Sequence, residues 1–304
     1  MSANIKKRIG ILRGGTGKHY ESSLRKGGEI ISYIYDNLPD KYKTLDILID
    51  KEGIWHINGM PVKPADLMHK VDVVWNTSRH PDLSVILDSL SVPNVGNESF
   101  LENNNDILKA QVKNIGIRMP KSLVLPLYQE DFDGPRDKYA VKKAKEILEK
   151  FGAPWIIKSF TPDSNMGIHL AKTFPELVDA IEDGVNHQKS ILVEEFISGK
   201  VGSVHSLAGF RGEDVYVFPP ISFTDSEKEK IISLVKDLHK HIGAKHYLKS
   251  DFILHPKRGF FLTSVDFSPD LRKGSHFEQS CEYVGAEISH VFEHILEKVL
   301  SKKV

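Results

Sequence analysis

A chain of 304 residues, 40% apolar and 27% charged, has the composition of an ordinary soluble globular protein and the length for two or three domains with a substantial buried core. Lysines plus arginines and aspartates plus glutamates number 41 each, so no net basic field argues for nucleic acid, and small-molecule partners are expected. The single cysteine, Cys281, excludes an internal disulfide, the N-terminal apolar run is too short for a signal peptide, and no stretch approaches the roughly 20 apolar residues that cross a bilayer, so a cytoplasmic protein off the membrane is expected.

In chain order, Arg8–Leu12 reads as a short apolar strand, followed by the glycine-rich loop GGTGKHY and a helical pattern from Glu21 to about Tyr35. Strand, loop and helix together suggest the first unit of an α/β domain with a ligand near the helix N-terminus. Neither GxGxxG nor a Walker spacing is present, and a tight turn before an acid-bearing first helical turn explains the same letters. Lys43–Asp50 and Ile54–Ile57 read as strands, and VDVVWN at Val71–Asn76 as a buried parallel one. A helix at Leu83–Leu90 and a strand at Val92–Val95 complete an expected open parallel sheet with helices on both faces.

A helix from about Asn105 to Asn114 leads to Ser122–Leu127, then a loop-like Gln129–Lys138 and a lysine-rich helix at Tyr139–Phe151. PWIIKS is an apolar strand ending in Lys158, and the small-residue loop FTPDSNMG follows. A lysine beneath such a loop can fix phosphates, a point charge below and backbone donors above, although a snorkelling lysine on an edge strand reads identically. In SILVEEFI, Glu194 and Glu195 break an apolar run where a strand could read an adenine edge and a ribose, or could simply surface into water. Val201–Gly212 and Asp214–Ile221 read as antiparallel strands, Asp225–Ile242 as an amphipathic helix, and Ala286–Leu300 as a core-packing helix.

Between the last two helices lies HYLKSDFILHPKRGFFLTSVDFSPD, which reads as a hairpin turning at Pro256–Gly259. Alternation puts Lys249, Asp251 and Ile253 on one side of its first strand and Ser264, Asp266 and Ser268 on one side of its second, with Asp251 expected roughly opposite Asp266. Two carboxylates on one face repel unless a cation stands between them, and oxygen-only ligands suit Mg²⁺ that also holds nucleotide phosphates. On this pair alone, the solvated face of an antiparallel hairpin serves as well.

Together GGTGKHYESSL, PWIIKS with FTPDSNMG, ILVEEFI, KSDF and SVDFSPDLRKGS occur in the order and at about the spacing found in the D-alanine–D-alanine ligases of the ATP-grasp superfamily, which the sequence resembles along nearly its whole length. The resemblance implies an N-terminal open parallel α/β domain (1–97) and two α+β ATP-grasp lobes (98–187 and 188–304) that hold ATP between them. It implies an ATP-dependent carboxylate–amine ligase acting through an acyl phosphate on amino-acid substrates, in cell wall (peptidoglycan) synthesis, and a homodimer. Glu21 resembles the acid that holds the first amino acid's ammonium, and Lys158 the lysine on the ATP phosphates. Ser164, Asn165 and Gly167 fall in the loop over the phosphates, and Glu194, Glu195, Phe196 and Ile197 in the adenine-binding segment. Asp251 and Asp266 match Mg²⁺ ligands, and Ser275 a serine near the second substrate's carboxylate.

The departures from the pattern are specific. Lys249 stands for an arginine at the transferring phosphoryl, Ser264 for a glutamate bridging two Mg²⁺ ions, and Asp266 for an asparagine, so one ion is expected in place of two. Ile107 and Val201 replace a nucleotide-binding lysine and a ribose-binding glutamate, and Pro269-Asp270 replaces a Pro-Gly, which puts Asp270 beside the substrate. Only Ile221–Thr224 remains of a long loop that closes over the site. An impaired homologue that binds nucleotide or ligand and regulates is the alternative to the enzyme, since fold alone does not choose.

Overall fold

The computed structural model describes residues 6–17, 19–78, 80, 82–96, 101, 105–160 and 165–301. They divide into two compact units, one of Met1–Arg118, Lys200–Phe252 and Leu262–Val304, the other of Met119–Gly199 and Ile253–Phe261.

The first unit begins with β1 (Lys7–Gly14), α1 (Tyr20–Asn37), β2 (Tyr42–Ile49), β3 (Trp55–Ile57), β4 (Met60–Val62), β5 (Val73–Asn76), α2 (Asp82–Ser89), β6 (Asn94–Val95) and α3 (Asn105–Lys113). Its sheet has the order β4-β3-β2-β1-β5-β6. β1 lies parallel to β2 and β5, as the continuous apolar runs predict, while β3 and β4 add an antiparallel edge. A Cβ on Gly10 would stand 2.5 Å from Ile47 Cδ1 and 2.9 Å from Val71 Cγ1, so glycine is what lets β1 pack between its neighbours. Gly14, at φ +85°, turns the chain out of β1 toward α1, where a Cβ would lie 2.2 Å from the Ile49 carbonyl oxygen.

The second unit holds β7 (Ser122–Leu125), α4 (Tyr128–Asp131), α5 (Arg136–Lys150), β8 (Trp155–Ser159), β9 (His169–Ala171), α6 (Phe174–Asn186) and β10 (Ile191–Glu195), an antiparallel sheet of order β7-β10-β8-β9. Its own core gathers Tyr139, Ile147, Trp155, Ile157, Leu177 and Ile191. The stretch Gln129–Lys138, expected as loop, instead contributes to α4 and the start of α5. Tyr128 and Phe132 pack on Tyr139 with ring centroids 5.4 and 5.9 Å away, and the buried Lys143 reaches Asp131 at 2.7 Å. Those contacts lie too far apart in sequence for local composition to register them.

The first unit resumes with β11 (Lys200–Ala208), β12 (Val215–Val217), α7 (Asp225–His241), β13 (Tyr247–His255), β14 (Gly259–Asp266), α8 (His276–Tyr283) and α9 (Ile288–Leu300), around a sheet of order β12-β11-β13-β14. Residues of the expected segments 1–97 and 188–304 share one core: Ile9, Ile11 and Trp75 pack with Phe218, Phe277 and Phe292. The rings of Trp75 and Phe292 stack 4.6 Å apart and 4° from parallel. α8 has no counterpart among the elements expected from the sequence, yet Ser275-His276-Phe277-Glu278 carries the capping pattern. Ser275 Oγ accepts from the Glu278 N–H at 3.1 Å, and Glu278 Oε2 accepts from the Gly274 N–H at 2.5 Å.

Inside this unit a buried histidine makes stability depend on pH. Ser206 Oγ donates to the Leu248 carbonyl at 3.3 Å and so accepts from His239 Nδ1 at 2.9 Å, and among the described residues the buried His239 Nε2 has no hydrogen-bond partner. Burial, with Lys298 nearby, pushes the imidazole down from 6.5 to about 4. The folded state therefore resists a proton that the unfolded chain takes up below about 6.5, so stability is full above that pH and declines as pH falls toward 4. By urea denaturation, His239 is expected to account for a loss of about 2 kcal/mol between pH 7.5 and 5. His239→Asn, which keeps a donor for Ser206 and does not titrate, is expected to remove that part of the slope, and an unchanged slope would contradict the assignment.

Candidate functional site

β13 and β14 turn within His255–Gly259, and their alternation brings Lys249, Asp251, Ser264 and Asp266 to one face. The carboxylate of Asp251 accepts from Ser203 Oγ at 2.5 Å, Ser264 Oγ at 2.8 Å and Lys249 Nζ at 3.1 Å. The partner across the hairpin is therefore Ser264, not Asp266 as the sequence reading expects: counted back evenly from the turn at Pro256–Gly259, Asp251 falls opposite Ser264, and Asp266 lies two residues further along β14. Asp266 is held instead from α1: Lys26 Nζ donates to both its oxygens, at 2.9 and 2.8 Å, and the Ser268 N–H adds a third bond at 2.9 Å.

Next to this face lies a cavity of about 450 Å³ whose wall includes Lys26, Lys249, Asp266, Asp270, Arg272 and His276. Of the residues singled out in the sequence, it brings together Lys249, Asp266 and Asp270. Arg272 donates to Asp270 at 2.6 and 2.8 Å, and these bonds hold the Asp270 carboxyl below its ordinary range. Ser275 is the N-cap of α8, and its hydroxyl also donates to the Asp270 carbonyl at 3.0 Å, so the serine shapes this corner through the backbone.

Three cavity-side groups escaped the sequence analysis. Lys26 is 240 residues from the carboxylate it binds. His205 and His276 join only when β11, β13 and the start of α8 are neighbours. His205 Nδ1 lies 2.7 Å from the Tyr247 hydroxyl and His205 Nε2 lies 2.8 Å from His276 Nδ1. Burial, with His276 and Lys249 acting in the same direction, drives the His205 imidazole well below the ordinary histidine range. Burial and then Lys249 lower His276 as well, and burial raises the Tyr247 phenol well above its usual value.

In the second unit, Lys158 on β8 reaches Glu194 on β10 at 2.5 Å, so two residues singled out separately in the sequence form one pair. Glu195 accepts from Arg258 at 2.7 Å and from the Lys121 N–H at 3.2 Å; burial raises its carboxyl, but these bonds outweigh it and the net direction is down. The Phe196 N–H donates to the Pro154 carbonyl at 3.0 Å, its ring is exposed, and Ile197 is buried. Asn165 and Gly167 are exposed, anchored through the buried Met166 between them. Ser164 lies outside the described residues. Glu21, in the first turn of α1, is exposed, with Lys51 at 3.9 Å, and is not among the residues lining the cavity.

A carboxylate offers about four lone-pair directions, so Asp251, with three donors, keeps about one, and Asp266 is the second carboxylate of the same face. Among the described residues no group of three or more His, Cys, Asp or Glu is placed to hold a metal ion. That donor set suits Mg²⁺, which keeps several waters and takes one or two carboxylates together with phosphate oxygens. It does not make an all-protein cage.

Residues 112–208 match the family model described as the D-ala D-ala ligase C-terminus. The chain is similar to the D-alanine--D-alanine ligase of Christiangramia forsetii, 22% identical over 98% of this chain and 100% of that one, and to that of Oceanobacillus iheyensis, 21% identical over 98% and 96%. Among solved structures it resembles the VanG D-Ala:D-Ser ligase from Enterococcus faecalis, with a TM-score of 0.71 at 19% identity over 97% of this chain and 99% of that one. It also resembles the Bacillus anthracis D-alanine--D-alanine ligase complexed with ATP, with a TM-score of 0.69 at 18% identity over 97% of each. The fold is the one these ligases share, the ATP-grasp fold.

Because Ser264 already touches Asp251, Ser264→Glu places a second carboxylate beside the first. Calorimetric titration with Mn²⁺ is expected to show roughly tenfold tighter binding than in the unsubstituted protein. Indifference of the affinity to this change would place the metal away from Asp251.

Proposed function

We propose that this chain, a D-alanine–D-alanine ligase-like member of the ATP-grasp superfamily, is an ATP-dependent carboxylate–amine ligase acting through an acyl phosphate. Transfer of the γ-phosphoryl group forms a bond from phosphorus to a substrate carboxylate oxygen and releases ADP. The amine of a second substrate then attacks the acyl carbon, the amide bond forms, inorganic phosphate leaves, and the nucleophile's surplus proton passes to solvent. The relatives' names point to D-alanine as the first amino acid to test. A dipeptide product would feed cell wall synthesis, and a cytoplasmic homodimer is part of the same proposal. Among the described residues no helix is long and apolar enough to cross a membrane.

The observation that carries the reading is the face of β13 and β14, where two carboxylates and two ammonium groups adjoin one polar cavity. We assign Asp251 and Asp266 to Mg²⁺, which supplies neutralisation of phosphate charge when bound. Lys249, a compact cation on a rigid strand, is assigned to the transferring phosphoryl, where a preformed charge acts on the negative charge that develops. Lys158 is assigned to the nucleotide phosphates, the segment Glu194–Ile197 to the nucleoside, and Ser164, Asn165 and Gly167 to the phosphate loop. Glu21, Asp270 and Ser275 are assigned to the amino-acid side.

Phosphate release from ATP and Mg²⁺, assayed with D-alanine and a panel of other amino acids, tests the proposal. Release that depends on the amino acid is expected, and Lys249→Met is expected to lower it about a hundredfold. A nucleotide-induced thermal shift without such release would assign the chain to the regulatory alternative, and no nucleotide binding at all would overturn the ligase reading.

A further inference from the structure

Tyr247, His205 and His276 form a hydrogen-bonded chain that leads from the core to the cavity wall. Tyr247 and His205 are buried, each 2% exposed, and His205 borders the cavity from beneath His276. Among the described residues the phenol has one hydrogen-bond partner, His205 Nδ1 at 2.7 Å. A buried hydroxyl proton needs an acceptor, so Tyr247 donates and His205 Nδ1 accepts. A neutral imidazole then carries its proton on Nε2, and that N–H donates to His276 Nδ1 at 2.8 Å. With Nδ1 accepting, neutral His276 carries its own proton on Nε2, which has no hydrogen-bond partner among the described residues. The opposite direction along the chain would strand the phenol proton where water does not reach.

The cavity thus has an N–H donor of fixed tautomer on its wall, together with the Lys249 ammonium. A fixed donor beside a cation suits a carboxylate oxygen and is the wrong form to take a proton from an ammonium. We propose that His276 Nε2–H is a hydrogen-bond donor to the carboxylate of an amino-acid ligand in this cavity, with Tyr247 and His205 as positioning residues that hold it in that form. The proposal rests on the ligase reading for the identity of the ligand, while the tautomers stand on geometry alone.

Two measurements on the full chain test it at pH 7.5. Long-range ¹⁵N–¹H correlation spectra of the histidine rings, assigned with His205→Asn and His276→Gln, are expected to show both rings as Nε2–H tautomers. Adding D-alanine, and separately acetate as a bare carboxylate, is expected to shift the His276 Nε2–H signal. Tyr247→Phe is expected to leave His205 and His276 as tautomer mixtures. In the phosphate-release assay His276→Leu is expected to raise KM for one of the two amino-acid positions about tenfold with kcat within about twofold, and His276→Gln, which keeps a donor, to restore most of it. Whichever position changes its KM identifies the carboxylate concerned.

An Nδ1–H tautomer at His276, no shift with either carboxylate, or an unchanged KM in His276→Leu overturns the proposal. Absence of phosphate release with the tautomers and the D-alanine shift intact overturns the ligase reading instead and leaves His276 as a carboxylate donor.

Discussion

The site depends on charge that the protein neutralises with its own residues. On one face of β13 and β14 each aspartate has an ammonium partner: Lys249 for Asp251 at 3.1 Å and Lys26 for Asp266 at 2.8 Å. Their side chains are about a quarter to a third exposed, and ion pairs of that kind contribute about 0 to 1 kcal/mol. The pairs are therefore weak enough for a magnesium-bound polyanion to exchange with them, since Mg²⁺ can take the carboxylates and the anion can take the lysines. A buried pair would not allow this, because separating it leaves an uncompensated charge out of water.

The scaffold holds that face rigid. Phe252, Phe261 and Val265 are buried along the same two strands, and Tyr247 and Phe277 pack with ring centroids 5.2 Å apart beneath the cavity. α1 carries Lys26 to the face because it is fixed against β1 at its start, where Gly14 N–H donates to Ser23 Oγ at 2.9 Å. The backbone that carries the carboxylates is thus set by strand pairing, and Lys26 reaches Asp266 from a separate element. The hydrogen-bonded chain through His205 follows the same division, with a buried phenol at one end and His276 at the cavity wall at the other.

Legibility in the sequence followed the range of the interactions. Period-two alternation with the turn at Pro256–Gly259 gave the hairpin and its charged face, and the apolar runs of β1 and β5 gave the parallel sheet, since both signals are local. Where a property depends on a partner, letters alone were insufficient. Glu194 meets Lys158 because β10 lies against β8, and Lys26 comes from the other end of the chain. His205 lies in the strand Lys200–Ala208 with no periodic or spacing signal to mark it, and its chemistry exists only through Tyr247 and His276. Ile107 and Val201, read in the sequence as departures from the pattern that the resemblance implies, lie at the surface.

The most direct test of the charge exchange at this face is a calorimetric titration of a non-hydrolysable ATP analogue into the protein and into Asp251→Asn, each with and without Mg²⁺. Affinity at least about tenfold higher with Mg²⁺ in the unsubstituted protein, and that gain abolished in Asp251→Asn, is the expected result. Nucleotide binding of equal strength with and without Mg²⁺ in both proteins would contradict it.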